Sequence, residues 1–152
     1  MCIRDRFTSA LFGRVVANNA SVAGATGGCQ AEVGSASAMA AAAAVSIFNG
    51  SPEQSGHAMA LAISNLLGLV CDPVAGLVEI PCVMRNAIGS GNALISADLA
   101  LAGVESQIPV DEVIGAMDRV GRNLPASLRE TGLGGLAAVS YTHLTLPTIY
   151  SV

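Results

Sequence analysis

The 152-residue chain contains no lysine and no tryptophan, and its aromatic residues are three phenylalanines and two tyrosines. Without a lysine it has no amine side chain to form a Schiff base, so pyridoxal phosphate is not an expected cofactor. Its seven basic residues are scattered arginines set against eleven acidic residues, for a net charge of -4. No phosphate-tracking surface follows from that pattern, and nucleic acid is not an expected partner. The longest helical apolar run, Ala38 to Phe48, is too short and too rich in alanine to cross a bilayer, and no signal-peptide pattern opens the chain. The 52% hydrophobic content and mean hydropathy of +0.59 therefore read as a soluble, deeply buried helical core with no membrane partner. There is no C-x2-C pair, which excludes the local chelate of zinc ribbons, thioredoxin-like motifs and bacterial ferredoxins. Strand-type alternation of useful length is missing before the last residues, as are an internal repeat and a phosphate-binding glycine motif ahead of a helix. A Rossmann or P-loop reading is excluded, and the expected fold class is all-α.

What is present is a set of cysteines in unusual places. Of the four, Cys2 lies in a foreign-looking terminal stretch, and the odd number that remains argues against a secreted disulfide framework and for the cytoplasm. Cys29 follows Gly27-Gly28 and precedes a long alanine-rich segment. Cys71 and Cys82 stand with ten residues between them in the stretch Gly68 to Asn86. Pro81 suits the first position of a helix, which puts Cys82 in its first turn, where free N-H groups and the helix dipole favour thiolate over thiol. Cys71 falls where the helical pattern of Ala58 to Leu69 runs out, and Pro73 pushes Asp72 away from helical geometry. Cysteines at helix ends joined by Gly/Pro loops could converge on one point, or they could be ordinary buried cysteines of an apolar bundle. If they converge, an iron-sulfur cluster held by these three would be one protein ligand short, and its open iron would be a Lewis acid.

The helical pattern places these residues. A helix ends at Asn19, Glu32 to Phe48 forms the alanine-rich central helix of the bundle, and Asn49-Gly50-Ser51-Pro52 ends it and starts the next, with Pro52 at the first helical position. That next helix runs to about Leu67, with Met59, Ile63, Leu66 and Leu67 on one stripe. A longer helix starts at Cys82, and Gly89-Ser90-Gly91 within it marks a break or a very close helix contact. The last clear helix spans Glu112 to about Leu124, with Val113, Ile114, Met117 and Val120 inward. One further turn is expected between Pro125 and Arg129, and the glycines at 132, 134 and 135 form a flexible stretch that could fold back over the site.

The segments Ala20 to Ser35 around Cys29, Gly68 to Gly76 around Cys71, Ile80 to Ala87 around Cys82, and Leu128 to Leu136 resemble the α chain or α domain of the iron-sulfur-dependent L-serine dehydratases of bacteria, in their C-terminal part. The likeness runs from about Phe7 to Ala138. It implies that Cys29, Cys71 and Cys82 hold a [4Fe-4S] cluster, and that the cluster, without pyridoxal phosphate, serves conversion of L-serine to pyruvate and ammonia. It further implies a β chain or β domain as partner, an oligomer in the complete enzyme, and a place in amino-acid degradation and gluconeogenesis. The other readings kept open are an iron-sulfur electron-transfer or sensing module and a structural helical subunit with no cluster.

Further candidates follow from chemistry. Arg85, within a turn of Cys82, could hold a substrate carboxylate bidentately or pair with Glu79 or another acid. Asn86 beside it and His57 are candidates for catalysis; a histidine in the first turns of a helix is also an ordinary surface residue. Asn18, Asn19, Arg129 and Thr131 join Arg85 as candidates for substrate contact, although an asparagine pair in a loop also makes local backbone bonds. No residue is assigned as general base. The organisation expected is a non-native leader over 1-6, a fragment of the α domain over 7-138, and a non-native tail over 139-152 that looks like translated adapter read-through.

Overall fold

The computed structural model describes residues 2-139, all-α with no strand among them; the expected non-native tail, Val139 apart, lies outside the described residues. Helix α1 spans Cys2–Asn19, a short turn α2 spans Gly24–Gly27, and α3 spans Ser35–Ile47. Helices α4 at Pro52–Asn65, α5 at Cys82–Leu101 and α6 at Val110–Asn123 complete the set. Residues 2-6 continue into α1, where the buried Asp5 accepts a hydrogen bond from Ser46 Oγ at 3.2 Å.

The alanine-rich α3 is central, packing against α1, α4 and α5. Ala38, Ala41, Ala42 and Val45 are wholly buried. Methyl side chains lose no rotamer freedom in a helix and leave a smooth surface, so three neighbours can lie close to one axis. Val16 from α1, Met59 and Ile63 from α4, Ala93 and Ala97 from α5, and Val113, Ile114 and Met117 from α6 close the core around it. The punctuation between α3 and α4 is local. Asn49 adopts φ 60° and Gly50 N-H donates to Val45, while Ser51 and Gln54 form a reciprocal capping box with Pro52 in the first turn.

Two sequence expectations shift, and one alternative is decided. Helix α4 ends at Asn65 rather than Leu67, because Leu66 leaves the helix to pack against Cys29 and Cys71 and Leu67 turns outward at 39% exposure. Helix α6 starts at Val110, which brings Asp111 and Glu112 into its first turn, where the dipole favours them. The Gly89-Ser90-Gly91 run does not break α5; it marks a close contact. Ser37 Oγ donates to the Gly89 carbonyl at 2.8 Å, and a Cβ on Gly89 would stand 2.7 Å from Val33 Cγ1. Gly91 meets nothing. Gly89→Ala is therefore expected to destabilise the fold by about 1 to 3 kcal/mol through overpacking, and Gly91→Ala to stabilise it by up to about 1 kcal/mol through helix propensity. Urea midpoints of the two variants check this, and equal midpoints would show that α5 does not press on α3 at Gly89.

Candidate metal centre

Cys29 begins the alanine-rich helix through a π turn, Gln30–Gly34, that runs directly into α3. The turn is fixed by Gln30, a side chain 1% exposed. Its Nε2 donates to the Met117 carbonyl at 2.9 Å, its Oε1 accepts from Gly68 N-H at 2.9 Å, and its backbone N-H donates to the Leu69 carbonyl. One buried amide thus sets the start of α3, the end of the α4 loop and helix α6 against each other. Cys71 follows three residues after Gly68 in extended backbone, held by hydrogen bonds to and from residues 128 and 130: Cys71 N-H donates to Leu128 O at 2.9 Å and Glu130 N-H to Cys71 O at 2.7 Å. Cys82 is the first residue of α5, with Pro81 at the cap position just before it.

These segments bring Cys29, Cys71 and Cys82 together as free thiols, exposed by 2, 3 and 5% respectively. The Cys29 and Cys71 thiols are in hydrogen-bond contact, and Cys82 is near enough for the charge of Cys29 to reach it and for its own to reach Cys71. The expectation that helix N-termini favour thiolate is overturned. Burial pushes all three thiols up, Cys71 to about 12 with Cys29 as the next cause, while Arg85 and then the Cys71 hydrogen bond pull against this at Cys29.

Arg85 is engaged by an acid, Asp72. Its Nη1 donates to Asp72 Oδ1 at 2.5 Å and to the Val70 carbonyl at 2.8 Å, and its side chain is 14% exposed. Asp72, 2% exposed, uses its other oxygen to accept from Leu136 N-H at 2.7 Å. The glycine-rich stretch does fold back: it lies along the Cys71 loop, with Gly132 beside Pro73 and Gly76. The Asp72–Arg85 pair therefore ties the Cys71 loop, the Cys82 helix and the 128-136 segment into one body.

The remaining candidates are dispersed. Asn18 and Asn19 are exposed at the end of α1, where Asn19 Nδ2 donates back to the Val15 carbonyl at 2.8 Å. His57 accepts from Ser106 N-H at 3.1 Å and lines a separate hollow of about 270 Å³ with Ile108 and Pro109. Asn86 is exposed beside a shallow hollow of about 120 Å³ lined by Ser37 and Gly89. Thr131 bonds within its own loop, to Ala126 O and Leu133 N-H. Arg129 is the exception: its backbone bridges Cys71, its Nη1 reaches the Thr26 carbonyl only at 3.5 Å, and its buried Nε has no partner. Sequence reasoning missed Gln30, Asp72 and Glu32, an exposed carboxylate one helical turn after Cys29.

The donor set discriminates between metals. Among the described residues no three His, Cys, Asp or Glu side chains are gathered to hold one metal ion. An iron-sulfur cluster asks for thiolates, each binding a different iron. Three buried, free cysteines from three segments, with a guanidinium against one of them, supply donors of that kind.

An all-helical domain that closes three cysteine-bearing loops on one another defines the class. The chain matches the serine dehydratase alpha chain family over residues 2–137, and it belongs to that family. It is 71% identical over 136 residues to a probable L-serine dehydratase alpha chain of Latilactobacillus sakei, covering 90% of this chain and 65% of that one. A probable L-serine dehydratase alpha chain of Bacillus subtilis is 67% identical, with 90% and 45% covered, and the L-serine dehydratase alpha chain of Peptoniphilus asaccharolyticus is 62% identical over 130 residues, with 86% and 44% covered. The chain thus spans between under half and just under two thirds of the length of these relatives. No helix among the described residues is long and apolar enough to cross a membrane.

The buried ion pair gives a direct test. Asp72→Ala leaves the Arg85 guanidinium without its counter-charge and frees Leu136 N-H, so a loss of about 3 kcal/mol is expected from breaking a buried pair by removing one partner. Urea unfolding measures it; a loss under about 0.5 kcal/mol, the scale of a surface substitution, would show that the pair does not hold the loops.

Proposed function

We propose that this chain is the cluster-holding part of an iron-sulfur L-serine dehydratase of the cytoplasm, converting L-serine to pyruvate and ammonia in concert with a β chain or β domain. The observation that carries this is the convergence of Cys29, Cys71 and Cys82 in a member of the serine dehydratase alpha chain family. These three would hold a [4Fe-4S] cluster, which when bound supplies Lewis acidity at an iron without a cysteine, toward the substrate hydroxyl.

The chain's own residues do the rest. Gln30 and the Asp72–Arg85 pair fix the three loops before any ligand arrives, so little ordering remains to be done on binding. Arg85, committed to Asp72 and Val70, is read as holding the thiols' surroundings. Arg129 is the better-suited guanidinium for the serine carboxylate: it is anchored by its backbone beside Cys71, and its side chain is only loosely engaged.

Anaerobic reconstitution with iron and sulfide tests the reading. The chain is expected to take up a [4Fe-4S] cluster whose absorption and EPR change when L-serine is added, and Cys29→Ala, Cys71→Ala and Cys82→Ala are each expected to abolish stable uptake. A redox-active cluster indifferent to serine would favour electron transfer or sensing, and no iron uptake would favour a structural subunit. Arg129→Lys in the complete enzyme is expected to keep its iron and lose catalytic efficiency for serine by about ten-fold to a hundred-fold, the scale of a bidentate charged contact. Unchanged kinetics would remove Arg129 from the pocket.

A further inference from the structure

Glu32 sits in the first turn after Cys29, beside the Cys71 sulfur. Its side chain is exposed, and it makes no side-chain hydrogen bond or ion pair among the described residues, yet it lies against the cysteines. A Cβ built on Gly24 would stand 2.7 Å from Glu32 Oε2 and 3.0 Å from Cys71 Sγ, so the carboxylate and the sulfur share the small space that only a glycine leaves open. The charge of Glu32 is felt at both Cys29 and Cys82. Glu130, the other acid near the site, is felt at Cys71. Glu32 is thus an acid whose charge reaches two of the thiols and whose carboxylate borders the third.

A negative group placed beside three thiol ligands works against their ionisation. Arg85 offsets this at Cys29, but it is paired with Asp72 at 2.5 Å and makes no ion pair with Glu32 among the described residues. A carboxylate left uncompensated at the open side of such a site is explained by a cation that comes and goes. The ammonium group of an amino-acid substrate is a cation of that kind, and it would arrive with a carboxylate for Arg129, whose backbone bridges Cys71.

We propose that Glu32 binds the α-ammonium group of the substrate and so selects a β-hydroxy α-amino acid over the corresponding hydroxy acid. This rests on the serine dehydratase reading, and it goes beyond it in assigning a specificity-determining residue.

The experiment compares wild type, Glu32→Gln and Glu32→Asp in the reconstituted complete enzyme. It titrates the cluster's absorption and EPR with L-serine and, separately, with 3-hydroxypropanoate, which keeps the hydroxyl and carboxylate but has no ammonium. Iron content is expected to be equal in all three, since Glu32 is exposed and is not among the cluster-holding cysteines. For Glu32→Gln the apparent Kd for L-serine is expected to rise about ten-fold to a hundred-fold, as for loss of a charged hydrogen bond, with the Kd for 3-hydroxypropanoate unchanged or lower. Glu32→Asp is expected to recover part of the serine affinity. A wild-type cluster that ignores both ligands would overturn the dehydratase reading itself. A wild-type response to serine that Glu32→Gln retains at the same Kd would overturn the ammonium assignment alone, and a fall in kcat at that unchanged Kd would move Glu32 from substrate binding to proton transfer. Equal losses for the two ligands would also overturn it, because the residue would then be acting on something other than the ammonium.

Discussion

The burial of Asp72 places a strict demand on its surroundings. A carboxylate 2% exposed is tolerable only if both oxygens find donors, and the fold supplies Arg85 from one segment and Leu136 N-H from another. Because Asp72 is the neighbour of Cys71 and Arg85 lies one turn after Cys82, satisfying the acid also brings two cysteine-bearing segments together. Gln30 performs the same operation on the third. Its amide is shared between Met117 and Gly68, so Cys29 is drawn to the loop leading to Cys71. Buried polar groups, each with a small set of acceptable partners, thus position a site that apolar packing alone would leave loose.

The helical framework allows this because it is made of small side chains. Alanine in α3 gives neighbouring helices little to interlock with, but it lets α1, α4 and α5 approach a common axis. The loops at one end of α4 and α5 then meet the start of α3 without long spans. The contact at Gly89 shows the same economy: a helical glycine costs propensity, and here it admits Val33 from the turn that carries Cys29.

Much of this framework was legible in the sequence because its signals are local. Asn49-Gly50-Ser51-Pro52 specifies a stop and a start within four residues, and the α6 stripe of Val113, Ile114 and Met117 follows from helical period alone. The cysteine positions were legible from their Gly and Pro neighbours and from the family likeness. What the sequence hid is what depends on distant partners: Gln30 meets Met117 across 87 positions and Asp72 meets Leu136 across 64. Arg85 was visible as a cation near Cys82, but its choice of Asp72 over a substrate was not, since Asp72 in sequence looks only like the residue before a proline. Glu32 was invisible for the opposite reason: a lone glutamate in a helix reads as a solvated charge until Gly24 is seen beside it.

The direction of the thiol shifts connects the site's construction to its assembly. Helix N-termini favour thiolate, yet burial prevails at Cys29, Cys71 and Cys82, joined at Cys71 and Cys82 by the charge of neighbouring thiols. Neutral thiols can be buried against Leu66 and Val33 at little cost, which lets the loops fold before a cluster is present. Binding iron requires the thiolates, so assembly of the proposed cluster would release the protons that burial holds. The cationic iron core would then replace the proton as the compensating charge at each sulfur. Arg85, kept in place by Asp72, already sets a positive charge against Cys29.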